Sequence, residues 1–381
     1  MEDGSREIRF SLETVLKRSW PLLAIGAVLV CAIIGGLVWF AVSGIGRKSS
    51  GAPMIVSTAD GSTSTAMVGD LVSRSLDGVL VSPADANLQP YAVMVENHTD
   101  ARPLSGPAAA NLVYEIPVEG GITRYLLVFD ATTTVDQIGP VRSARPYFVD
   151  MADGLNAVYA HVGGSPEALN DITGMTSFRD LNEFFNGKYF WRSAKREAPH
   201  NAYTRTDLLH AAASAKSWRD GHFHGWSYKD DYPLEATPTS TIARGTIQGP
   251  SLQFGGSYNA SWTYDRAANA YIRSEGGSKQ SDANGAQVTA HNVVVIQTDG
   301  KTIDDYGRLS IRTTGRGKAT LHRDGYAIPV TWKRASGGHI LFESSDGTDV
   351  FFNRGTTWIE MTFDGAMYGG ASANASATST R

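Results

Sequence analysis

The most apolar stretch of the chain lies near its start. Residues 21–42, PLLAIGAVLVCAIIGGLVWFAV, carry no charged side chain, and about 20 consecutive apolar residues allow a helix to cross the hydrocarbon core of a bilayer. Lysine and arginine occur four times before this run and twice shortly after it, a bias that favours a cytoplasmic N-terminus. We therefore predict a cytoplasmic segment 1–20, a single-pass transmembrane helix 21–42 with the lipid bilayer as its partner, and an extracytoplasmic remainder at the cell membrane.

Two other anchoring modes compete with the transmembrane helix. A cleaved signal peptide has a shorter apolar core, of about 7–15 residues, followed by small residues at the cleavage site. A lipoprotein would be acylated at Cys31, but Val30 is bulky where a small residue is expected, and the chain stays apolar well beyond Cys31. The sequence therefore favours an uncleaved helix.

Beyond the anchor the hydrophobic pattern changes twice. Residues 43–70 are rich in Gly, Ser, Thr and Ala, which predicts a flexible linker. The first apolar run after it, Tyr91–Glu96, predicts a buried strand. Residues 112–119 alternate between apolar and polar positions, and residues 123–131 form a second strand pattern directly after Gly120-Gly121. So short a connection predicts an antiparallel hairpin.

Helix signals follow the hairpin. One helix is predicted to have Pro146 in its first turn and to end at Gly154, because proline suits a first turn and glycine suits a C-terminus. Ser165 is the predicted N-cap of a second helix. Thr206 is the predicted N-cap of an alanine-rich helix that runs to Trp218.

These elements predict an α+β fold in two parts. Residues 71–225 should form a mixed α/β N-terminal domain in which a helix layer covers sheet layers. Residues 226–250, rich in Pro, Thr and Asp, should form a linker. Residues 251–366 contain short strand patterns separated by turn signals, which predicts an antiparallel β-rich domain. The Ala/Ser/Thr-rich residues 367–381 should be a disordered tail.

Composition excludes several classes of protein. The net charge of -4 gives no sign of the basic domain that a nucleic-acid partner would need. The single cysteine cannot form an intrachain disulfide or a cysteine metal cluster, and because it lies in the apolar run it is not an exposed nucleophile. No dinucleotide or phosphate-loop spacing is present, so no cofactor is predicted.

The first candidate chemistry is the arginine cluster that follows Gly139-Pro140. Arg142 and Arg145 flank Ser143 just before a predicted helix, where guanidinium groups would add to the positive end of the helix dipole and attract an anion. The alternative is that both arginines pair with carboxylates such as Glu115 or Glu119 and simply hold the fold. A buried unpaired arginine would be too costly, so one of the two must hold.

Acid–base groups give a second set of candidates. Glu115 and Glu119 could act as a paired acid and base, as in glycosidases, or as ion-pair partners for the arginines. His161 lies at the end of a predicted strand, and His200-Asn201 lies on a loop. Either histidine could act as a base or orient a substrate, although a loop histidine is more often structural.

Metal and nucleophile motifs are weak. The spacing of His222 and His224 is a poor match to metal-ligand spacing, and no HExxH is present, so no metal site is predicted. Ser143 as a nucleophile would need a base and an oxyanion hole, and GxSxG is absent.

The order of motifs from residue 93 to residue 203 resembles the YerB-like family of bacterial envelope proteins, a family of unknown function with N- and C-terminal domains. The pieces that carry the resemblance are VMVENHTDARPLSG, NLVYEIPVEGGITRYLLVF, IGPVRSARPYF, HVGGS and APHNAYT, and later GRGKATLHRDGYAIPVTWK and FFNRGTTWIEM. The resemblance implies a mixed α/β first domain, a β-rich second domain, an envelope location and no established activity. Many members resemble lipoproteins, whereas this chain has a transmembrane run in place of the lipobox.

The motif match marks a set of positions as functional candidates. They are Asn97, Arg102, Glu115, Glu119, Arg124, Arg142, Ser143, Arg145, His161, His200 and Asn201.

Three functional hypotheses follow from these candidates. In the first, a membrane-tethered protein binds an anionic or carbohydrate ligand of the cell envelope through Arg124, Arg142 and Arg145 with the two histidines nearby. In the second, it is a cell-wall hydrolase that uses Glu115 or Glu119 with His161 or His200. In the third, it is a non-catalytic scaffold. The first two require that these side chains meet at one solvent-open recess.

Overall fold

The chain divides between Asp70 and Leu71 into two units. The computed structural model describes residues 54–57, 63–66, 71–218, 221–222, 224–363 and 368–369. The predicted transmembrane helix, the cytoplasmic segment and most of the tail lie outside the described residues. None of the helices in the described part of the chain has both the length and the apolar character that crossing a bilayer requires.

Strands dominate the described residues, as an α+β fold predicts. In chain order they are β1 (Met54–Ser57), β2 (Thr63–Ala66), β3 (Val72–Ser73), β4 (Leu80–Val81), β5 (Tyr91–Glu96), β6 (Leu112–Pro117), β7 (Thr123–Phe129), β8 (Val158–His161), β9 (Arg179–Asn182), β10 (Trp191–Arg192), β11 (Ala202–Tyr203), β12 (Ser227–Lys229), β13 (Ser251–Leu252), β14 (Ala260–Asp265), β15 (Ala270–Glu275), β16 (Ser278–Lys279), β17 (Thr289–Ala290), β18 (Asn292–Thr298), β19 (Gly300–Thr302), β20 (Leu309–Ile311), β21 (Gly315–Arg323), β22 (Tyr326–Arg334), β23 (Leu341–Glu343), β24 (Phe351–Asn353), β25 (Thr357–Phe363) and β26 (Tyr368–Gly369).

The α-helices of the described residues are few and short. They are α1 (Pro146–Gly154), α2 (Pro166–Gly174), α3 (Glu183–Asn186) and α4 (Thr206–Ala215). The predicted start and end of α1 are confirmed. The N-cap of α2 is also confirmed, because the hydroxyl of Ser165 accepts a hydrogen bond from the backbone N–H of Ala168 at 3.3 Å. Helix α4 begins one residue earlier than predicted, with Arg205 at its N-cap position, and it ends at Ala215 instead of Trp218.

A ten-stranded sheet organises the second unit, in the order β23-β22-β21-β18-β25-β6-β7-β5-β8-β9. The predicted hairpin is confirmed, with β6 antiparallel to β7. The turn between them uses positive φ at Gly120 and Gly121 (76° and 70°), which glycine adopts at little cost. Strand β8 lies between β5 and β9 and is parallel to both.

Strand β25 joins the N-terminal and C-terminal segments into this one sheet. It lies parallel to β18 on one side and parallel to β6 on the other, with Glu360 opposite Glu115. The purely antiparallel C-terminal arrangement expected from the sequence is therefore wrong at β25. Parallel strands need a long crossover, and the short strand-turn patterns of this region gave no sign of one.

Both faces of the sheet are buried. Alternate residues of β5 enter two different apolar clusters: Ala92 and Met94 pack into one that includes helix α1, whereas Val93 and Val95 pack into the other. The second cluster includes Leu209 of helix α4 and strands of a smaller sheet in the order β16-β15-β14-β13-β26. Polar residues on either face of the large sheet are consequently enclosed, which decides the environment of Glu115.

Three segments predicted to be irregular contain pairing. Strands β1 and β2 form an antiparallel pair within residues 43–70. In the predicted linker 226–250, the ring of Trp226 stacks on Phe352 at 5.0 Å between centroids, and β12 pairs in parallel with β24. Strand β26, within the predicted tail, pairs with β13.

Candidate functional site

The predicted site residues do not meet at one recess. They separate into three groups. The arginine recess, which includes Arg145 and Ser143, lies beside the start of helix α2. The buried carboxylate network, which includes Glu115, lies beneath the small sheet, and the histidine pair, His98 and His200, lies on the loops after β5 and before β11. His161 and Asn201 belong to none of these three. The expectation of a single solvent-open recess is therefore wrong. The binding and hydrolase hypotheses fail in the form that needs all of these side chains together, and each group has its own chemistry.

The arginine recess is a cavity of about 540 Å³. Its lining residues are Glu119, Ser143, Arg145, Gly164, Ser165, Pro166, Tyr306 and Arg308. Helix α2 begins at this wall, so its unpaired N–H groups add positive potential there. The loop between β19 and β20 supplies Tyr306, which is 84% exposed. The recess thus combines a helix N-terminus, two arginines and an exposed ring.

Arg145 makes a two-bond ion pair at the rim of the recess. Its Nε and Nη2 donate to the two carboxylate oxygens of Glu119 at 2.5 and 2.8 Å. Burial alone would raise the pKa of Glu119, but the hydrogen bonds and charge of Arg145 outweigh it and lower that pKa. This is the structural pairing that the sequence allowed, and it occupies one arginine of the cluster.

Arg124 lies behind the recess and is the unusual member of the cluster. It is 4% exposed, and its Nη1 donates to the backbone carbonyl of Ser143 at 2.7 Å. Its Nε has no hydrogen-bond partner, and no carboxylate of the described residues forms an ion pair with it. Burial and the charges of Arg145 and Arg142 lower the pKa of Arg124 to about 10, against a smaller opposing effect of Glu119. A buried guanidinium of this kind attracts an anion.

Arg308, which sequence reasoning missed, completes the recess from the C-terminal half of the chain. Its Nη1 donates to both carboxylate oxygens of Glu167 at 2.9 Å, and its Nε pairs with Asp304. No motif in the sequence marks Arg308, because its contact with helix α2 depends on the fold of a distant segment.

Glu115 is in the buried carboxylate network and cannot act at the recess. It is 0% exposed, pairs with Arg273, and accepts a hydrogen bond from the hydroxyl of Thr123 at 2.6 Å. Burial raises its pKa well above the ordinary value, and the neighbouring Glu360 adds to that rise against the opposing effect of Arg273. The alternative in which Glu115 and Glu119 act as a paired acid and base therefore fails on geometry, since Glu119 lies at the arginine recess.

Asn97 and Arg102 adjoin the same network through Glu275. The side-chain amide of Asn97 donates to Glu275 at 2.5 Å, and Nη2 of Arg102 lies 3.1 Å from the same oxygen. A cavity of about 520 Å³ opens here, with Arg102, Glu275 and Lys279 among its lining residues. Burial raises the pKa of Glu275 despite the two nearby arginines. These two predicted residues therefore belong to a different opening from the arginine recess.

His161 is sealed inside the protein. Its two ring nitrogens each lie 2.7 Å from an oxygen, one of the Asp180 carboxylate and one of the Gly163 carbonyl, and the residue is 0% exposed. Asn201 accepts a hydrogen bond from Nη1 of Arg192 at 3.1 Å on a separate surface. Neither is placed to touch a ligand in the arginine recess.

His200 lies beside Glu96 and His98, two residues that the sequence analysis did not select. Its Nδ1 is 2.7 Å from the carboxylate of Glu96, and its ring stacks on that of His98 with centroids 5.1 Å apart. Nε of Arg142 also lies 3.7 Å from the carboxylate of Glu96. Arg142 therefore belongs to this group, although its positive charge also acts on Arg124. One signal for Glu96 was available, because a glutamate ends an otherwise apolar strand.

Comparison with known proteins agrees with the architecture. Two family models match the chain, "Protein of unknown function (DUF3048) N-terminal domain" over residues 76–219 and "Protein of unknown function (DUF3048) C-terminal domain" over residues 251–359. The Bacillus subtilis (strain 168) protein named "Putative lipoprotein YerB" is 31% identical over 294 residues, which are 76% of this chain and 86% of that protein. The crystal structure of the Bacillus subtilis YerB protein has a TM-score of 0.66 and 30% identity, and the match covers 76% of this chain and 96% of that one.

Proposed function

The chain belongs to the DUF3048 family, as the YerB-like resemblance indicated, and from this membership and the geometry above we propose that it binds an anionic ligand of the cell envelope at the arginine recess. The ligand would carry a carboxylate or phosphate group next to an apolar or sugar face. The Bacillus subtilis relative has the name "Putative lipoprotein YerB", which supports an envelope location for this chain, with residues 21–42 as its anchor.

The observation that carries this proposal is that Arg124 is buried without a carboxylate hydrogen-bonded to it, so the more distant charges of Glu119 and Glu96 offset its charge only in part. A buried cation that lacks a carboxylate partner costs free energy, and two more guanidinium groups raise that cost. Arg124 keeps this position beside a recess that is open to solvent through Ser143 and Arg145. A bound anion in the recess would add negative charge close to Arg124, and the N-terminus of helix α2 would add to the attraction.

The shape of the recess also suits a ligand larger than a simple ion. Tyr306 presents an exposed ring beside Arg308, whose guanidinium carbon lies 5.8 Å from the ring centroid. An aromatic face packs well against the apolar face of a sugar ring or other flat group. We therefore favour an acidic glycan or a polyol phosphate over a free inorganic anion.

Replacing Arg145 by alanine should weaken binding of such an anion by about tenfold or more, because hydrogen bonds to a charged group contribute about 1.5–3 kcal/mol. The measurement is calorimetric titration of the full-length protein with oligomers of glycerol phosphate, acidic peptidoglycan fragments and a neutral glucan. Arg205→Ala is the matched control, since Arg205 is an exposed arginine paired with Asp207 at 2.6 Å on helix α4.

A second variant separates a binding role of the ion pair between Arg145 and Glu119 from a purely structural one. Glu119→Gln releases Arg145 from its two-bond pair, so an anion should bind at least as tightly as to the wild type. Affinity lost equally in Glu119→Gln and Arg145→Ala would mean that the pair only holds the fold. Unchanged binding in Arg145→Ala, or failure of every anionic probe to bind, would overturn the proposal.

A further inference from the structure

The loops that follow β5 and precede β11 bring two histidines and an aspartate together. One ligand atom from each of His98, Asp100 and His200 lies within 4.8 Å of the other two. Sequence spacing does not indicate this group, because His200 lies far along the chain from the other two residues. We propose that these three side chains form a site for a divalent transition metal of the zinc class.

The donor set fits such an ion. Two imidazole nitrogens and one carboxylate are a common three-ligand set for zinc, with water in the fourth position. Metal–ligand bonds of about 2.0–2.2 Å place the ligands of a tetrahedral site roughly 3.4 Å apart. Nδ1 of His98 and Oδ2 of Asp100 are already 3.6 Å apart. The two side chains are 37% and 72% exposed, so they can rotate to close the remaining gap.

His200 has the support that a metal ligand needs. Its Nδ1 is held at 2.7 Å by the carboxylate of Glu96, which is 2% exposed. This contact fixes the ring and leaves Nε2 as the atom that a metal would take. A carboxylate behind a ligating histidine is a recurrent arrangement, because it sets the tautomer and makes the imidazole a better donor.

His98 needs only a small change to bind a metal ion. Nδ1 of His98 accepts a weak hydrogen bond from the backbone N–H of Asp100 at 3.2 Å. A metal ion would replace that N–H as the partner of Nδ1. Because Asp100 also supplies the carboxylate, the turn that carries both residues would bind the ion through two side chains that are two positions apart in the chain.

Nearby cations set a limit on the affinity. Arg142 lies 3.7 Å from Glu96, and Nη1 of Arg196 donates to the backbone carbonyl of Asp100 at 2.8 Å. These two guanidinium groups offset the charges of the two carboxylates. We therefore expect a reversible site, weaker than a closed structural zinc site.

The test is metal titration of the full-length protein, purified with a chelator and without a polyhistidine tag. The wild type should bind one equivalent of Zn²⁺ in competition with a chromophoric chelator. Co²⁺ should give a visible absorption band with intensity typical of four-coordinate nitrogen and oxygen ligation. Both His98→Gln and Asp100→Asn should bind at least about tenfold more weakly, and Glu96→Gln about tenfold more weakly, since outer partners contribute about 10–100-fold.

His222→Gln is the control, because His222 is an exposed histidine beside Asn87, before β5. It should bind the metal as the wild type does. Asp100→Asn changes only an exposed side chain, so a loss of metal binding there cannot be attributed to unfolding. No stoichiometric binding by the wild type would overturn the proposal, as would unchanged binding in Asp100→Asn and His98→Gln, or an equal loss in His222→Gln.

Discussion

Replacing Arg273 by methionine should lower the free energy of unfolding by about 3–5 kcal/mol, the usual cost of removing one partner from a buried ion pair. Arg273 is fully buried and pairs with Glu115, which is also 0% exposed. Methionine keeps most of the side-chain volume, so the loss reports mainly on charge. The measurement is denaturant unfolding of the full-length protein at neutral pH.

The expected loss of stability is large because several carboxylates depend on the guanidinium group of Arg273. Glu115 and Glu360 lie together in the buried network, and Glu275 lies 3.9 Å from Arg273. Trp358 and Trp262 pack around the guanidinium carbon at 4.9 and 5.5 Å from their ring centroids, so little water can replace it. Without Arg273 these acids must ionise in an apolar site or hold protons.

The pH dependence of this loss provides an internal check. Burial raises the pKa values of Glu115, Glu275 and Glu360. Groups with raised folded-state pKa values favour folding at low pH and lose that contribution as the pH rises. The deficit of Arg273→Met should therefore be smaller at about pH 5 than at about pH 8. Adding Glu115→Gln should recover part of it.

A surface arginine supplies the matched control for Arg273. Arg205→Met removes an exposed pair with Asp207 and should change stability by less than about 1 kcal/mol. If Arg273→Met were as mild as this control, the network would not be the charged assembly described here.

Local elements of this fold could be predicted from the sequence because short-range signals define them. Pro146 and Gly154 mark the two ends of α1, Ser165 caps α2, and the paired glycines after β6 form the hairpin turn. Each of these signals acts within a few residues of the element that it defines. A single sequence is therefore enough to place them.

The burial of Glu115 could not be predicted in the same way. Alternation along β6 put Glu115 on the face opposite Leu112 and Tyr114, and a one-sided sheet would leave that face in water. Here the small sheet covers it with Trp262, and Arg273 arrives from β15. Such pairing over long sequence separations leaves no local trace.

The same limit separates the predicted site residues from one another. Arg124 and Arg145 do lie at one recess, because Arg124 at the start of β7 donates a hydrogen bond to the carbonyl of Ser143 in the segment that leads into α1. Arg308 reaches that recess from the C-terminal segment, and His98 meets His200 through a loop contact. Distant loops come together only in the folded chain. Motifs in the sequence therefore identified some residues of each cluster, but they did not identify any cluster completely.

His322 gives the second large effect, an acid sensitivity of the folded state. It lies on β21, opposite Val293 of β18, and is 1% exposed. Burial disfavours its imidazolium form and lowers its pKa from 6.5 to about 4. Between these two values the unfolded chain binds a proton that the folded chain does not, so stability from this residue is present above about pH 6.5 and is lost as the pH falls towards 4.

The expected loss is about 3 kcal/mol between about pH 7 and about pH 4, from the size of the pKa shift at 1.36 kcal/mol per unit. The raised carboxyl pKa values act in the opposite direction, so the measurement is the difference between the wild type and His322→Leu. Unfolding free energies at matched pH values should show the variant losing about 3 kcal/mol less on acidification. His222→Leu, which alters an exposed ring, should follow the wild type. Parallel curves for His322→Leu and the wild type would mean that His322 accepts its proton in the folded state, in which case strand β21 would have to open locally to water before the whole protein unfolds.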